Sequence, residues 1–138
     1  MHENTKNERD ERRIAEYAAK AWNVESYPAP KLCEVDGAFF RDGAPVAFYE
    51  IKKRNYKLNS LPSIWLDKKK VDKALLVAKR QNMRFLLIFE FDDGIWYCVV
   101  KNPEHWPVEQ NKGPARKRDN FDRDEVYAIP IQDWMSMA

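Results

Sequence analysis

Asp36 and the tripeptide Glu50-Ile51-Lys52 are the residues whose types and spacing best support chemistry. Asp42-Gly43 lies between them and is a tight-turn signal, so the flanking segments read as two arms of one hairpin. With a two-residue loop Asp36 lies across from Tyr49, and with a three-residue loop it lies across from Glu50. In the second register the two carboxylates face each other about 5 Å apart. Acids that close repel unless a cation sits between them, and hard oxygen donors suit Mg²⁺ or Mn²⁺. Lys52 shares the face of Glu50, roughly 6.6 Å along the strand, within reach of a water or a phosphate oxygen. The plainer reading is a same-face Glu50–Lys52 ion pair, with Asp36 as a turn residue before Gly37.

Other common chemistries lack support. The four glycines are isolated, so there is no phosphate-cradling loop. His2 and His105 have no companions at metal-ligand or triad spacing, and His105 reads as a loop residue. Cys33 and Cys98 are far apart, which is neither a disulfide framework nor a zinc cluster, and they fit a reducing compartment. A net charge of +2 does not by itself imply nucleic acid. A local basic rim does exist: Lys53, Arg54, Lys57, Lys68, Lys69 and Lys70, with Tyr56 and Trp65 interleaved. Such a rim holds phosphates without reading bases, or it is simply a solvated charged face.

The elements that must position these groups follow from periodicity. The chain of 138 residues suits one domain. Residues 1–7 read as a frayed tail, and Glu8 to about Trp22 as a helix with Ile14, Ala18 and Ala21 inward and Tyr17 and Trp22 at the edges. Glu11 falls on the line of that stripe, either as a favourable acid in the first turn or as a functional group. Pro28 and Pro30 end helical tendency. Residues 31–41 form a strand candidate interrupted by Gly37, and 45–52 an inner return strand with Val46, Phe48, Glu50 and Lys52 on one face. Residues 53–63 read as a basic connection. Asp67 is a plausible N-cap for a helix from Lys68 to about Gln81, with Val71, Ala74, Leu75 and Ala78 inward. Residues 84–91 and 95–100 make a second hairpin around Asp92-Asp93-Gly94. Residues 101–124 read as a long loop carrying Arg116, Lys117 and Arg118. Residues 125–131 read as an edge strand because of Pro130, followed by a short terminal helix. The class is α/β with a mixed sheet.

In this order of elements the sequence resembles the PD-(D/E)XK nuclease superfamily, in particular small phage nucleases, archaeal Holliday junction resolvases and VRR-NUC domains. The resemblance spans roughly residues 8–100. It rests on the helix bearing Glu11, on Glu34-Val35-Asp36-Gly37, on Ala47-Phe48-Tyr49-Glu50-Ile51-Lys52, and on the helix containing Lys70. Val35 stands where the family's motif has proline. The resemblance implies a restriction-endonuclease-like αβββαβ core, with Asp36, Glu50 and the Ile51 carbonyl as metal ligands for Mg²⁺ or Mn²⁺. It makes Lys52 the residue that orients the attacking water and stabilises transition-state charge. Glu11 becomes an auxiliary acid for a second ion or its water, and Lys70 an auxiliary phosphate contact, with Lys68 and Lys69 as neighbours able to substitute.

The expected function is a metal-dependent deoxyribonuclease, a structure-selective or weakly sequence-selective endonuclease acting on duplex or branched DNA as a homodimer. No apolar run approaches the roughly 20 residues that span a bilayer, and a cytoplasmic location is expected, in the host cytoplasm if phage-encoded. The alternatives are a catalytically silent nucleic-acid-binding module on the same fold, or a protein-interaction domain working through the 101–124 loop and Trp106.

Overall fold

The computed structural model describes residues 6–30, 33–111 and 125–137. Helix α1 (Lys6–Trp22) buries Ile14, Ala15, Ala18 and Ala19, a narrow stripe of small residues that lets it lie close to a sheet. Ala21, expected inward, is exposed, because the stripe drifts toward Ala15 and Ala19 at 3.6 residues per turn. The helix ends well before Pro28. Asn23 takes a left-handed φ of 58°, and the Val24 N–H reaches back to the Ala19 carbonyl at 2.9 Å, closing the helix terminus. Asn82 closes the second helix, α2 (Lys68–Arg80), in the same way, with φ 57° and Met83 N–H on Ala78 O. The start of α2 matches expectation. The Asp67 carboxylate accepts from the Lys69 N–H at 2.9 Å, and Val71, Ala74, Leu75 and Ala78 are buried.

The main sheet has the order β1-β2-β3-β5-β6-β9. Its strands are β1 (Glu25–Pro28), β2 (Gly37–Arg41), β3 (Ala44–Lys53), β5 (Arg84–Phe91), β6 (Gly94–Val99) and β9 (Met135–Ser136). β3 and β5 are parallel and the other neighbours antiparallel, so helix α2 serves as the crossover. β4 (Ser63–Asp67), β8 (Glu125–Pro130) and β7 (Val108–Gln110) form a second, three-stranded sheet. α1 covers one face of the main sheet over Phe39, Ala47, Tyr49, Ile51, Leu86 and Ile88. α2 and the small sheet cover the other face over Phe85, Leu87, Phe89 and Phe91. At the edge of the α1 face, Arg13 grips Glu90 of β5 with two contacts of 2.6 and 3.0 Å, a fork-on-carboxylate geometry that fixes the helix against the strand ends.

Several expectations are corrected. The 31–41 strand shrinks to Gly37–Arg41, with residues 33–36 in a bend and 31–32 outside the described residues. β1 and β4 are additional strands: residues 23–30 and 64–66 are assigned to no element by the sequence, and only Ser63 falls within the 53–63 connection. Residues 125–131 do not form an edge. β8 is the middle strand of the small sheet, and Pro130 is tolerated because β7 pairs only with residues 125–127, leaving no ladder bond for the missing N–H. The expected terminal helix is a single 3₁₀ turn (Ile131–Asp133) followed by β9. Within 101–124, a 3₁₀ turn (Pro103–His105) and β7 replace irregular chain, and Trp106 is buried with its Nε1 donating to Asp133 at 2.8 Å. That removes Trp106 as an exposed working surface. Arg116, Lys117 and Arg118 lie outside the described residues.

Candidate active site

The hairpin register decides whether the two acids meet. Arg41 pairs with Ala44, so Asp42 and Gly43 make a two-residue loop, with φ of 53° and 82°. Continued unchanged, that register would set Asp36 against Tyr49. It does not continue. Phe40 pairs with Pro45 while Phe39 pairs with Ala47, so Val46 is an extra residue in a bulge. The bulge turns Val46 toward the α1-side core, off the face it was expected to share with Phe48. It also shifts the ladder by one residue, so that Gly37 opposes Tyr49 as the last pair, and Asp36, just beyond the ladder, sets its carboxylate on the Ile51 N–H next to Glu50.

Asp36 is pinned at three points. Its N–H donates to Tyr49 O at 2.9 Å, and its carbonyl accepts from Ala29 N–H at 2.7 Å. Its Oδ2 accepts from the Ile51 N–H at 2.7 Å, standing in for the ladder partner that β2, which begins at Gly37, cannot supply. The N–H and C=O of one strand residue point to the same side, so the Ile51 carbonyl is directed to the same place. Glu50 is half-buried, with its side chain only 12% exposed, and the Lys52 Nζ stands 3.6 Å from its Oε2. The ion pair therefore exists, with the Asp36 carboxylate held on the N–H of Ile51, the residue between its two members.

Electrostatics join the remaining residues. Burial pushes the Glu50 carboxyl above its ordinary range, and the Asp36 charge adds to this while Lys52 and Lys70 oppose it. Asp36 is raised by burial and drawn back by the Ile51 N–H, Lys52 and Lys70. Glu11 is raised by burial and then by Asp36, with Lys52 opposing and Glu50 and Glu8 adding. Lys70 is thus the lysine of its run whose charge reaches both acids. Lys68 is held instead by Asp72 at 2.9 Å and lies over the Tyr127 ring, while Lys69 is exposed. α1 begins at Lys6, so Glu8 occupies its first turn and Glu11 the second. The helix-dipole explanation suits Glu8 and does not account for Glu11.

Among the described residues, no three Asp, Glu, His or Cys side chains converge closely enough to make a metal cluster by themselves. Glu11 influences the pair without closing such a cluster with it. The donor set is two mutually repelling, half-buried carboxylates and a main-chain carbonyl. This fits an ion such as Mg²⁺, which takes one or two carboxylates and completes its shell with water and phosphate.

Of the rim, Lys53 approaches Glu90 at 3.8 Å, Arg54 lies 5.5 Å from the Phe89 ring centroid, and Lys57 is exposed. Tyr56 packs on Phe91, whereas Trp65 is exposed. A cleft of about 530 Å³ adjoins the acids, lined by Glu8, Glu11, Arg12, Pro28, Val35 and Asp36 among others. Glu8 and Arg12 were not singled out by spacing. Their signal is that Glu8 precedes Glu11 by one helical turn.

A family model described as "Phage putative PDDEXK endonuclease" matches residues 1–137. The chain belongs to this family. PDDEXK nucleases are hydrolases of phosphodiester bonds, so the positions singled out above sit in a chain of nuclease type. The fold agrees. The structure of Hjc, a Holliday junction resolvase from the archaeal hyperthermophile Archaeoglobus fulgidus, matches with a TM-score of 0.54. The match covers 89% of this chain and 95% of that one at 9% identity. At that identity the likeness shows the fold alone, the restriction-endonuclease-like α/β architecture. No match to this PDDEXK chain is found among curated proteins. Among the described residues no helix is long and apolar enough to cross a membrane.

Proposed function

We propose that the protein is a Mg²⁺-dependent deoxyribonuclease, a structure-selective or weakly sequence-selective endonuclease that hydrolyses DNA phosphodiester bonds. The observation that carries this reading is the convergence of half-buried Asp36 and Glu50 beside two lysines at the end of β3. Asp36, Glu50 and the Ile51 carbonyl would hold a divalent ion. The chemistry such an ion supplies is neutralisation of phosphate charge and a lowered water pKa. Hydrolysis joins a water oxygen to phosphorus and releases the sugar oxygen, concentrating negative charge on the phosphoryl oxygens. Lys52 presents a fixed positive charge there, and Lys70 adds a second from the first turn of α2. Glu11, with its carboxyl raised, is an auxiliary acid on the α1 side. Lys53, Arg54, Lys57, Lys68 and Lys69 hold flanking phosphates.

The test is cleavage of linear, nicked and four-way DNA with Mg²⁺, with Mn²⁺ and with EDTA. Cutting is expected with either metal, none in EDTA, and none by Asp36→Asn. Mg²⁺ is also expected to raise the unfolding temperature of the wild type but not of Asp36→Asn, since only a formed site gains stability from its ligand. Wild type and Asp36→Asn behaving alike in both measurements would overturn the reading.

We also propose a homodimer, because one small domain covers little duplex and paired cuts need two sites. Light scattering at assay concentration should give twice the chain mass, and a monomer would count against it.

A further inference from the structure

Of the five tryptophans in the chain, four are packed. Trp22 meets Phe39 and Tyr97 edge-on, Trp96 meets Phe91, Trp106 meets Tyr127, and Trp134 meets Phe89. Trp65 is 46% exposed, and among the described residues it takes part in no ring–ring contact. Its backbone is nonetheless rigidly held. β4 pairs along its length with β8, and the flanking Ile64 and Leu66 are buried in the core, which forces the Trp65 ring outward. Its cross-strand partner is Ala128, too small to cover the ring. A single exposed apolar residue is ordinary on a protein surface, and Tyr17, Tyr27 and Leu76 are as exposed. What sets Trp65 apart is a flat ring held by a paired strand next to a run of lysines.

Its position points to a use. Trp65 shares its strand face with Asp67, the N-cap of α2. Two strand residues and one helical turn separate it from Lys70, at most about 12 Å along the backbone. That equals about three stacked nucleotides. Lys69 and Lys70 are exposed on the intervening path, and Lys70 acts on Asp36 and Glu50. An aromatic platform beside lysines is the construction that binds single strands, the bases stacking and the cations following the phosphates. Inside a duplex both faces of each base are already covered and wedging between them costs a few kcal/mol per step, so stacking on the indole is favoured where a base is already free.

We propose that Trp65 stacks on an unpaired base about three nucleotides from the phosphate held at Lys70, so that the favoured substrate is DNA with a single-stranded arm or branch there. This rests on the nuclease reading above and names its substrate class. A protein partner docking on Trp65 is the competing occupant; the adjacent lysines favour a polyanion.

The experiment measures binding of the full chain in EDTA, where no cutting occurs, to two DNAs of equal length. One has a single-stranded arm with 2-aminopurine at the branch. The other is a duplex capped by hairpins at both ends, with no free base face. Trp65→Ala is expected to weaken binding of the armed DNA about 5- to 100-fold, to change duplex binding less than twofold, and to abolish quenching of the 2-aminopurine. Trp65→Phe should retain most of the affinity. Equal losses on both DNAs, or no loss on either, would overturn stacking and leave the nuclease reading standing. Wild type failing to bind either DNA at low salt would also overturn stacking, and the nuclease reading is then decided separately by the cleavage assay with Mg²⁺ and Mn²⁺. An unchanged unfolding midpoint for Trp65→Ala separates these outcomes from misfolding.

Discussion

Glu50→Gln is expected to lose cleavage activity about 10³-fold or more while making the protein more stable. The first effect follows if Glu50 is a metal ligand. Losing about 4 kcal/mol of transition-state charge stabilisation costs three powers of ten in rate. The second follows from the neighbours of Glu50. Its side chain is 12% exposed, and burial and Asp36 together hold its carboxyl above the ordinary range, with Lys52 and Lys70 compensating only in part. A carboxyl raised by folding binds more protons folded than unfolded. Its charged form therefore destabilises the fold increasingly as pH rises between the unfolded and folded pKa values, and fully above the folded one. At neutral pH without metal, the neutral glutamine removes that penalty, for an expected gain of about 0.5–2 kcal/mol. Denaturant unfolding should show the gain at pH 7 and its disappearance below the ordinary carboxylate range, where Glu50 is neutral in both states.

Lys52→Ala is the informative contrast. It should lower the rate about 10²- to 10³-fold and also destabilise, since it leaves Glu50 without its nearest cation. If Glu50 and Lys52 were only a structural ion pair, both substitutions would destabilise. A Glu50→Gln protein that is less stable and still cuts DNA would sink the metal-ligand assignment.

How much of this site the sequence discloses depends on the range of the forces that set each part. Asp42-Gly43 is local turn chemistry, and it correctly joins the two arms. The register is not local. The Val46 bulge carries Asp36 past the end of the ladder to the Ile51 N–H beside Glu50. Pro45 is the one residue there that hints at a bulge, but it suits a strand's start equally. The apolar Val46 suits either face of a sheet covered on both sides. The inward positions of α2 emerge from 3.6-residue spacing alone. The choice among its lysines is half legible. Lys68 and Asp72 stand four apart, a spacing that pairs on any helix, whereas the reach of Lys70 to Asp36 depends on the sheet beneath it. β4 escaped detection because its partner β8 lies some sixty residues away, and five residues after a proline carry little strand signal of their own. Trp106 shows the same limit from the other side. In a polar, proline-rich stretch it reads as exposed, and Asp133 and Tyr127, distant in sequence, bury it.

Gly37→Ala is expected to destabilise the fold by about 3 kcal/mol and to reduce cleavage with it, although it adds a single methyl group. Gly37 does not have a positive φ, so the reason is space and not backbone conformation. A Cβ there would press into the Oη and Cζ of Tyr49 and lie 2.7 Å from the Tyr27 carbonyl oxygen. Neither neighbour can yield cheaply. The Tyr49 hydroxyl is hydrogen-bonded to Ser26 at 2.8 Å and its ring packs on Phe39, while Tyr27 is fixed in the β1–β2 ladder. Overpacking of this kind typically costs about 1–3 kcal/mol, and the backbone contact puts this case at the upper end. Asp36 is the adjacent residue, tied to Tyr49 O and to Ile51 N–H, so a displacement of Gly37 moves the candidate ligand directly. Gly43→Ala isolates the other role of glycine. It has nothing within 4 Å but a φ of 82°, so its cost is about 1 kcal/mol of local strain, released in the turn far from the acids. Denaturant midpoints and cleavage rates of the two variants should therefore diverge. Equal stability losses, or a Gly37→Ala protein as active as Gly43→Ala, would mean that Asp36 is not held by the Tyr27–Gly37–Tyr49 contact.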